Sequence, residues 1–193
     1  MNAQEVKQLL EKNFSGIKLK LVRDTILIEN PEDLTRVAAF LKTAPAYKFD
    51  YLSCVTGADY LTYLECVYHL YSMEDKTGPL VLRVRTDREN PVIPSLVPVY
   101  RGAEYQEREA YDMYGFRFAG HPDLRRIFMW DGYEGFPMRK DYDQEDSETL
   151  EHADVEWLEK RGVTVPDAMK SHAEELKKQG KRAIAEKSGK EVG

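Results

Sequence analysis

The sequence predicts an α+β fold: an antiparallel sheet with helices on one side, then an extended arm and a polar helical tail. Three observations predict it. Apolar residues recur at helical spacing near residues 3–13 and 31–43, and short runs rich in β-branched and aromatic residues fill 17–28 and 47–85. Past Gly115 neither period survives, and glycines at 115, 120, 132 and 135 with prolines at 122 and 137 keep the chain extended. After Tyr142 the composition changes again, to acidic and then Lys/Glu-rich. These shifts divide the chain into an anchor domain over 1–115, an arm over 116–143 and a charged extension over 144–193.

Within the first division, Val6, Leu9 and Leu10 share one side of an opening helix. Ile17–Leu21 alternates as a strand does, and Arg23-Asp24 turns it into Thr25–Ile28 as a hairpin. Asn30 caps a helix that opens with Pro31 and acidic Glu32-Asp33, runs through Val37, Phe40 and Leu41, and stops at Pro45. Three strands follow, over 47–56, 61–71 and 80–85, joined across Gly57-Ala58-Asp59 and then across 72–79. Tyr63, Tyr68 and Tyr71 read as core and cross-strand packing. Pro94 begins a turn into a helix that ends near Gly115. In the tail, residues 143–159 are mostly acidic, and 170–191 predict a helix with Leu176, Ala183 and Ile184 on its apolar side.

Composition excludes several classes of function. The chain has 193 residues, 42% hydrophobic and 32% charged, enough for one domain with a core and an appendage. A net charge of −6 argues against nucleic acid, which needs a basic surface to release counterions. No apolar run approaches the roughly 20 residues that cross a bilayer, and the opening MNAQEVKQLL lacks the layout of a secretory signal. A cytoplasmic location is expected, with membrane contact only through partners. Cys54 and Cys66 form no C-x-x-C pair and cannot supply four ligands to a cluster, so both are expected to be buried small apolar residues. Glycine-rich phosphate loops and the G-x-S-x-G elbow are absent, so no cofactor is expected in this chain.

The stretch 107–142 is the most informative. It is dense in Arg, Asp and aromatic side chains but irregular in period, the composition of a segment that contacts another protein. On a helix, Glu104 and Asp112 each stand four residues from Arg108, placed to bracket its guanidinium. Glu107 and Glu109 diverge by about 200° around the same helix, which argues against an acid/base pair. A metal site built on His121, Asp123, His152 and His172 lacks fixed ligand spacing. Instead Pro122 holds His121 extended and the Asp123 side chain is expected to cap the turn that follows. Arg125 and Arg126 point to different sides, and Phe136, Met138 and Tyr142 lie along a proline-bent strap with Arg139 and Lys140.

Three linked motifs in this stretch resemble a known family. They are Glu107-Arg108-Glu109 with Asp112–Phe116, then Gly120–Ile127 (GHPDLRRI), then Gly135–Tyr142 (GFPMRKDY). Val67–Leu70 and Pro94–Leu96 add to the likeness, while Tyr105 stands where family members often have Trp. The pattern resembles the C subunit of proton-translocating NADH–quinone oxidoreductase, the thirty-kilodalton subunit family of respiratory complex I. The resemblance implies a non-catalytic peripheral-arm subunit in a hetero-oligomer at the cytoplasmic face of the inner membrane. It implies the D subunit, which carries the quinone site, and the B subunit as partners. Iron–sulfur clusters, FMN or quinone then belong to partner subunits. Equivalent subunits of membrane-bound hydrogenases, and of quinone reductases fed by ferredoxin or a deazaflavin, are the alternative. On this resemblance Glu107, Arg108, Glu109, Asp112, His121, Arg125, Arg126, Phe136, Arg139, Lys140 and Tyr142 are interface or arm-positioning residues.

Overall fold

The computed structural model describes residues 2–45, 47–142, 152–162, 164–165, 167, 170–171, 173–175 and 177–178. They fall in two compact units, 1–142 and 143–193.

In the first unit, helix α1 (Ala3–Asn13) starts where the Asn2 side chain accepts the Gln4 N–H at 3.0 Å, and it buries Ala3, Val6 and Leu10. Strands β1 (Leu19–Val22) and β2 (Thr25–Ile28) form the expected antiparallel hairpin. The Asn30 side chain caps a 3₁₀ turn over Pro31–Asp33 that leads into helix α2 (Leu34–Thr43). Strands β3 (Tyr51–Asp59), β4 (Leu64–Ser72) and β5 (Thr77–Thr86) complete a sheet of order β1-β2-β5-β4-β3. Strand β6 (Val92–Pro94), helix α3 (Ala103–Tyr114) and strand β7 (Arg117–Ala119) close the unit, with β6 and β7 in a small second sheet.

One face of the large sheet makes the core. Ile26 lies beside Leu82, Leu82 beside Tyr68 and Tyr68 beside Val55, and all four are buried. Leu34, Val37, Ala38 and Leu41 of α2 belong to the same apolar cluster, as do Ala103 and Ala110 of α3. The α+β class therefore stands, with two departures. Strand β2 pairs with β5 in parallel, because strands so far apart in sequence are not bound to the antiparallel geometry of a tight hairpin. Residues 57–59 are not the β3–β4 turn; they continue β3, and the turn is Tyr60–Tyr63. Gly57 serves close approach instead: a Cβ there would lie 2.5 Å from the Tyr114 ring and 2.8 Å from the Phe116 ring.

The cysteines part company: Cys66 is buried and Cys54 exposed, since a register shift between Leu52 and Cys54 turns Cys54 outward. In the second unit, helix α4 (His152–Lys160) forms within the stretch that reads as mostly acidic, and Val155, Val165 and Ala173 are buried together with Leu158 against them. Of the expected tail helix, Leu176 and residues 179–191 lie outside the described residues.

Candidate functional site

Helix α3 and residues 115–142 form the candidate site. The helix is polar for a buried element, and its sequence spacing sends three charged side chains inward: Glu107, Arg108 and Asp112 are buried. Gly115 ends it in the left-handed region, φ 83°, with its N–H on Tyr111 O at 2.9 Å. A Cβ at Gly115 would lie 2.6 Å from the Phe136 ring, so glycine is required there twice over.

Asp112 is the central anchor. Its Oδ2 accepts the N–H groups of Ile127 (3.0 Å), Phe128 (2.7 Å) and Met129 (3.0 Å), and its Oδ1 accepts Arg126 Nη1 at 2.8 Å. Burial alone would raise its pKa, but these donors outweigh burial and hold the carboxyl below its ordinary value. The backbone of 127–129 thus forms an anion-binding nest around a helix side chain.

Glu107 behaves oppositely. Its carboxylate accepts Ser95 Oγ and the Leu96 N–H, both at 2.7 Å, and ties the helix to the turn after β6. Burial dominates here and pushes its pKa up to about 7. Glu109 is exposed, as the divergence around the helix predicts.

The expected bracket around Arg108 does not form. Its Nε donates to Arg125 O at 3.1 Å and its Nη1 lies 3.8 Å from Asp123 Oδ2, while Asp112 is taken by the nest and by Arg126. The returning loop competes better for both groups than a helical neighbour does, because it brings a backbone carbonyl acceptor to Arg108 and three backbone N–H donors to Asp112. His121 links the loop back to the helix: its Nδ1 accepts the Asp123 N–H at 3.0 Å, which leaves the proton on Nε2 to meet Glu104 O at 3.0 Å. Asp123 therefore caps no turn; its carboxylate accepts from Arg125 Nε at 2.9 Å. Arg125 is exposed and Arg126 half-buried, on different sides as expected.

Phe136 sits between two guanidiniums, with Arg139 4.7 Å and Arg126 5.4 Å from its ring centre. Arg139 Nε donates to Tyr114 O at 2.8 Å, and the Tyr142 hydroxyl meets that of Tyr133. Lys140 donates its N–H to Asp59 Oδ2 at 2.9 Å while its side chain is exposed. Arg88 binds the same Asp59 oxygen at 2.9 Å and also meets Asp141. The bond from Arg88 holds the Asp59 carboxyl well below the usual carboxylate range despite its burial. Sequence reasoning misses Asp59 and Arg88, whose partners lie far along the chain; Asp141 in the RKDY motif is the one local signal.

The anticipated residues thus divide. Glu107, Arg108, Asp112, Arg126 and Arg139 are tied into the domain, with His121, Phe136 and Tyr142 partly covered, whereas Glu109, Arg125 and the Lys140 side chain face outward. Tyr105, Phe128 and Met138 are exposed as well, 65%, 61% and 52%. Among the described residues no group of three or more His, Cys, Asp or Glu could hold a metal; His172 and the His152 side chain lie outside them. No described helix is long and apolar enough to cross a membrane.

Residues 27–148 match the family described as "Respiratory-chain NADH dehydrogenase, 30 Kd subunit". The C 2 subunit of the NADH-quinone oxidoreductase of Rhizobium meliloti (strain 1021) is 49% identical over 118 residues, 58% of this chain and 62% of that protein. The C subunit of the NADH-quinone oxidoreductase of Roseiflexus sp. (strain RS-1) is 42% identical over 121 residues, 61% of this chain and 69% of that protein. The match thus spans about three fifths of the length of the Rhizobium relative. A chain of the membrane-bound sulfane sulfur reductase, an archaeal respiratory membrane complex, is similar in fold, with a TM-score of 0.59 at 20% identity over 84% of this chain and 92% of that one.

Proposed function

The chain belongs to the 30 kDa subunit family of the respiratory-chain NADH dehydrogenase, and from that premise we propose that it is a non-catalytic scaffold subunit of an NADH–quinone oxidoreductase. Its job is to hold the quinone-reducing module in fixed geometry, through contacts with the quinone-site D subunit and with the B subunit. The chain sits on the cytoplasmic side of the membrane and reaches it through those partners, which carry the clusters, FMN and quinone site.

One observation supports this reading above the others. The segment 120–142 is locked onto its own domain by Asp112, Asp59 and Arg139, yet leaves Phe128, Met138, Arg125 and Lys140 facing outward, with Tyr105 of α3 also exposed. A surface held in one shape before binding loses little conformational entropy on binding. Exposed aromatic, Met and Arg side chains are the residue types that interfaces favour. The acidic groups of the helix beneath are engaged as ties within the domain: Glu107 is enclosed and Asp112 is saturated with donors.

The test is to recover the tagged chain from detergent-solubilised membranes of its source. Recovery with a quinone-site protein and iron–sulfur proteins is expected, and an accompanying flavoprotein distinguishes the NADH-driven machine from one built on a nickel hydrogenase. Recovery of the chain alone in the soluble fraction overturns the proposal. Replacing Arg125 and Lys140 with Ala should weaken assembly while leaving the isolated chain folded. Arg139→Ala should also loosen the strap, because its Nε bond to Tyr114 O is internal.

A further inference from the structure

The outer face of the sheet carries a second organised cluster that none of the family motifs contains, apart from Lys140. In the β3–β4 turn the rings of Tyr60 and Tyr63 stack 4.8 Å apart, 16° from parallel. The fully buried Glu65 carboxylate is shared by Arg83 and Arg85. Arg83 reaches on to the Tyr60 hydroxyl at 3.1 Å, and the Arg85 guanidinium lies 4.7 Å from the Tyr63 ring centre. From the strap, Lys140 Nζ lies 6.0 Å over Tyr60. Two cations therefore share the Glu65 carboxylate and a third lies over Tyr60. With Arg88 against Asp59 and Asp141 next to them, four cations meet three carboxylates, a local excess of one positive charge on a chain whose net charge is −6.

Two of those cations are open to a ligand. Arg85 bonds Glu65 through Nε at 2.9 Å, and among the described residues its two Nη nitrogens make no hydrogen bond; nor does Lys140 Nζ. Glu65 and Tyr63 hold the Arg85 fork in the orientation that a carboxylate accepts in two parallel bonds. At the tip of the turn Leu61 is 57% exposed and adopts φ 67°, a left-handed conformation that leucine rarely takes. A glycine or asparagine would turn the chain there with less strain, so folding alone gives no reason for an exposed leucine at that point.

We propose that this turn, with Arg85 and Lys140, is a docking point for an Asp or Glu side chain of a neighbouring subunit, with Leu61 as the apolar contact beside it. The inference rests on the multisubunit reading above and adds a surface to it. A protein carboxylate fits better than an anionic membrane surface, which is recognised by clusters of about four to eight free cations rather than two oriented ones.

The experiment places p-benzoylphenylalanine at Thr62 in the full chain, expressed in its source. The intact complex is isolated and irradiated, and the crosslinked peptide is sequenced. A peptide of another subunit with an Asp or Glu at the crosslink is expected. Adding Arg85→Gln and Lys140→Glu should lower the crosslinked fraction about tenfold, and Lys in place of the identified carboxylate should restore it against Lys140→Glu. Leu61→Gly should raise the melting temperature of the purified chain yet lower crosslinking, a pairing that a purely structural role cannot give. A crosslink to lipid, a protein crosslink indifferent to these substitutions, or no crosslink in an intact complex overturns the docking point alone. Wild-type chain recovered without partners overturns this inference and the scaffold reading together.

Discussion

Strand β4 and the strap over 120–142 lie in the same compact unit but are held by different forces. In β4, Leu64, Cys66, Tyr68 and Leu70 are buried, and Tyr68 and Leu70 pair with apolar residues on both β3 and β5. Between Gly120 and Tyr142 no residue is fully buried, and the backbone is fastened by carboxylates, guanidiniums and bridging N–H groups. Apolar burial is non-directional and scales with area, so it stabilises the sheet without dictating each contact. The strap's contacts are directional and cannot be replaced by merely similar residues. The difference teaches how a segment with no core of its own can keep its apolar side chains for a partner.

The sharpest way to break this comparison is to truncate each region. Leu82→Ala removes a fully buried side chain from the central sheet and should cost about 3–4 kcal/mol of global stability in denaturant unfolding. Asp112→Ala leaves the N–H groups of 127–129 without their acceptor and should cost about 3 kcal/mol, but locally. Amide exchange should accelerate at those three positions while the sheet stays protected. If protection of the sheet falls in step, the strap is not a separate layer of stability and the comparison fails.

A smaller effect sharpens it through pH. Glu107 has its folded pKa raised by burial from 4.5 to about 7, so folding favours its protonated form. Its contribution is fully present below the unfolded value and is lost as pH rises through 7. The native chain should lose on the order of 2 kcal/mol between pH 5 and pH 8. In Glu107→Gln that slope should vanish, since the amide can still accept from Leu96 and meet Ser95. An unchanged slope in the variant would assign the pH dependence to another group. Asp112 and Asp59, both depressed, act in the reverse sense and only in acid, below their ordinary values.

Much of the fold is legible in the sequence. Asn2, Asn30 and Pro31 mark helix starts through local hydrogen bonding, and the Arg23-Asp24 turn pairs two adjacent strands, so no distant residue has to be known. The Gly57 turn is misread because a glycine in a strand looks the same whether it bends the chain or admits a ring; Tyr114 and Phe116 decide which. Arg108 is misplaced for a related reason. Helical spacing offers it Glu104 and Asp112, and nothing local reveals that the loop at 125–129 claims Arg108 and Asp112 first.

By itself, then, the sequence determined the order of helices and strands, the side of each that is apolar, and the three motifs that mark the family. Those properties follow from periodicity, capping and residue type, which act over a few neighbours. The tertiary structure alone decided which charges are interior ties and which remain outward. That choice depends on desolvation and on donors brought from far along the chain, as Arg88 and Lys140 are to Asp59. A carboxylate's role depends on what surrounds it, so Glu107 is pushed toward neutrality while Asp112, five residues later on the same helix, is held ionised.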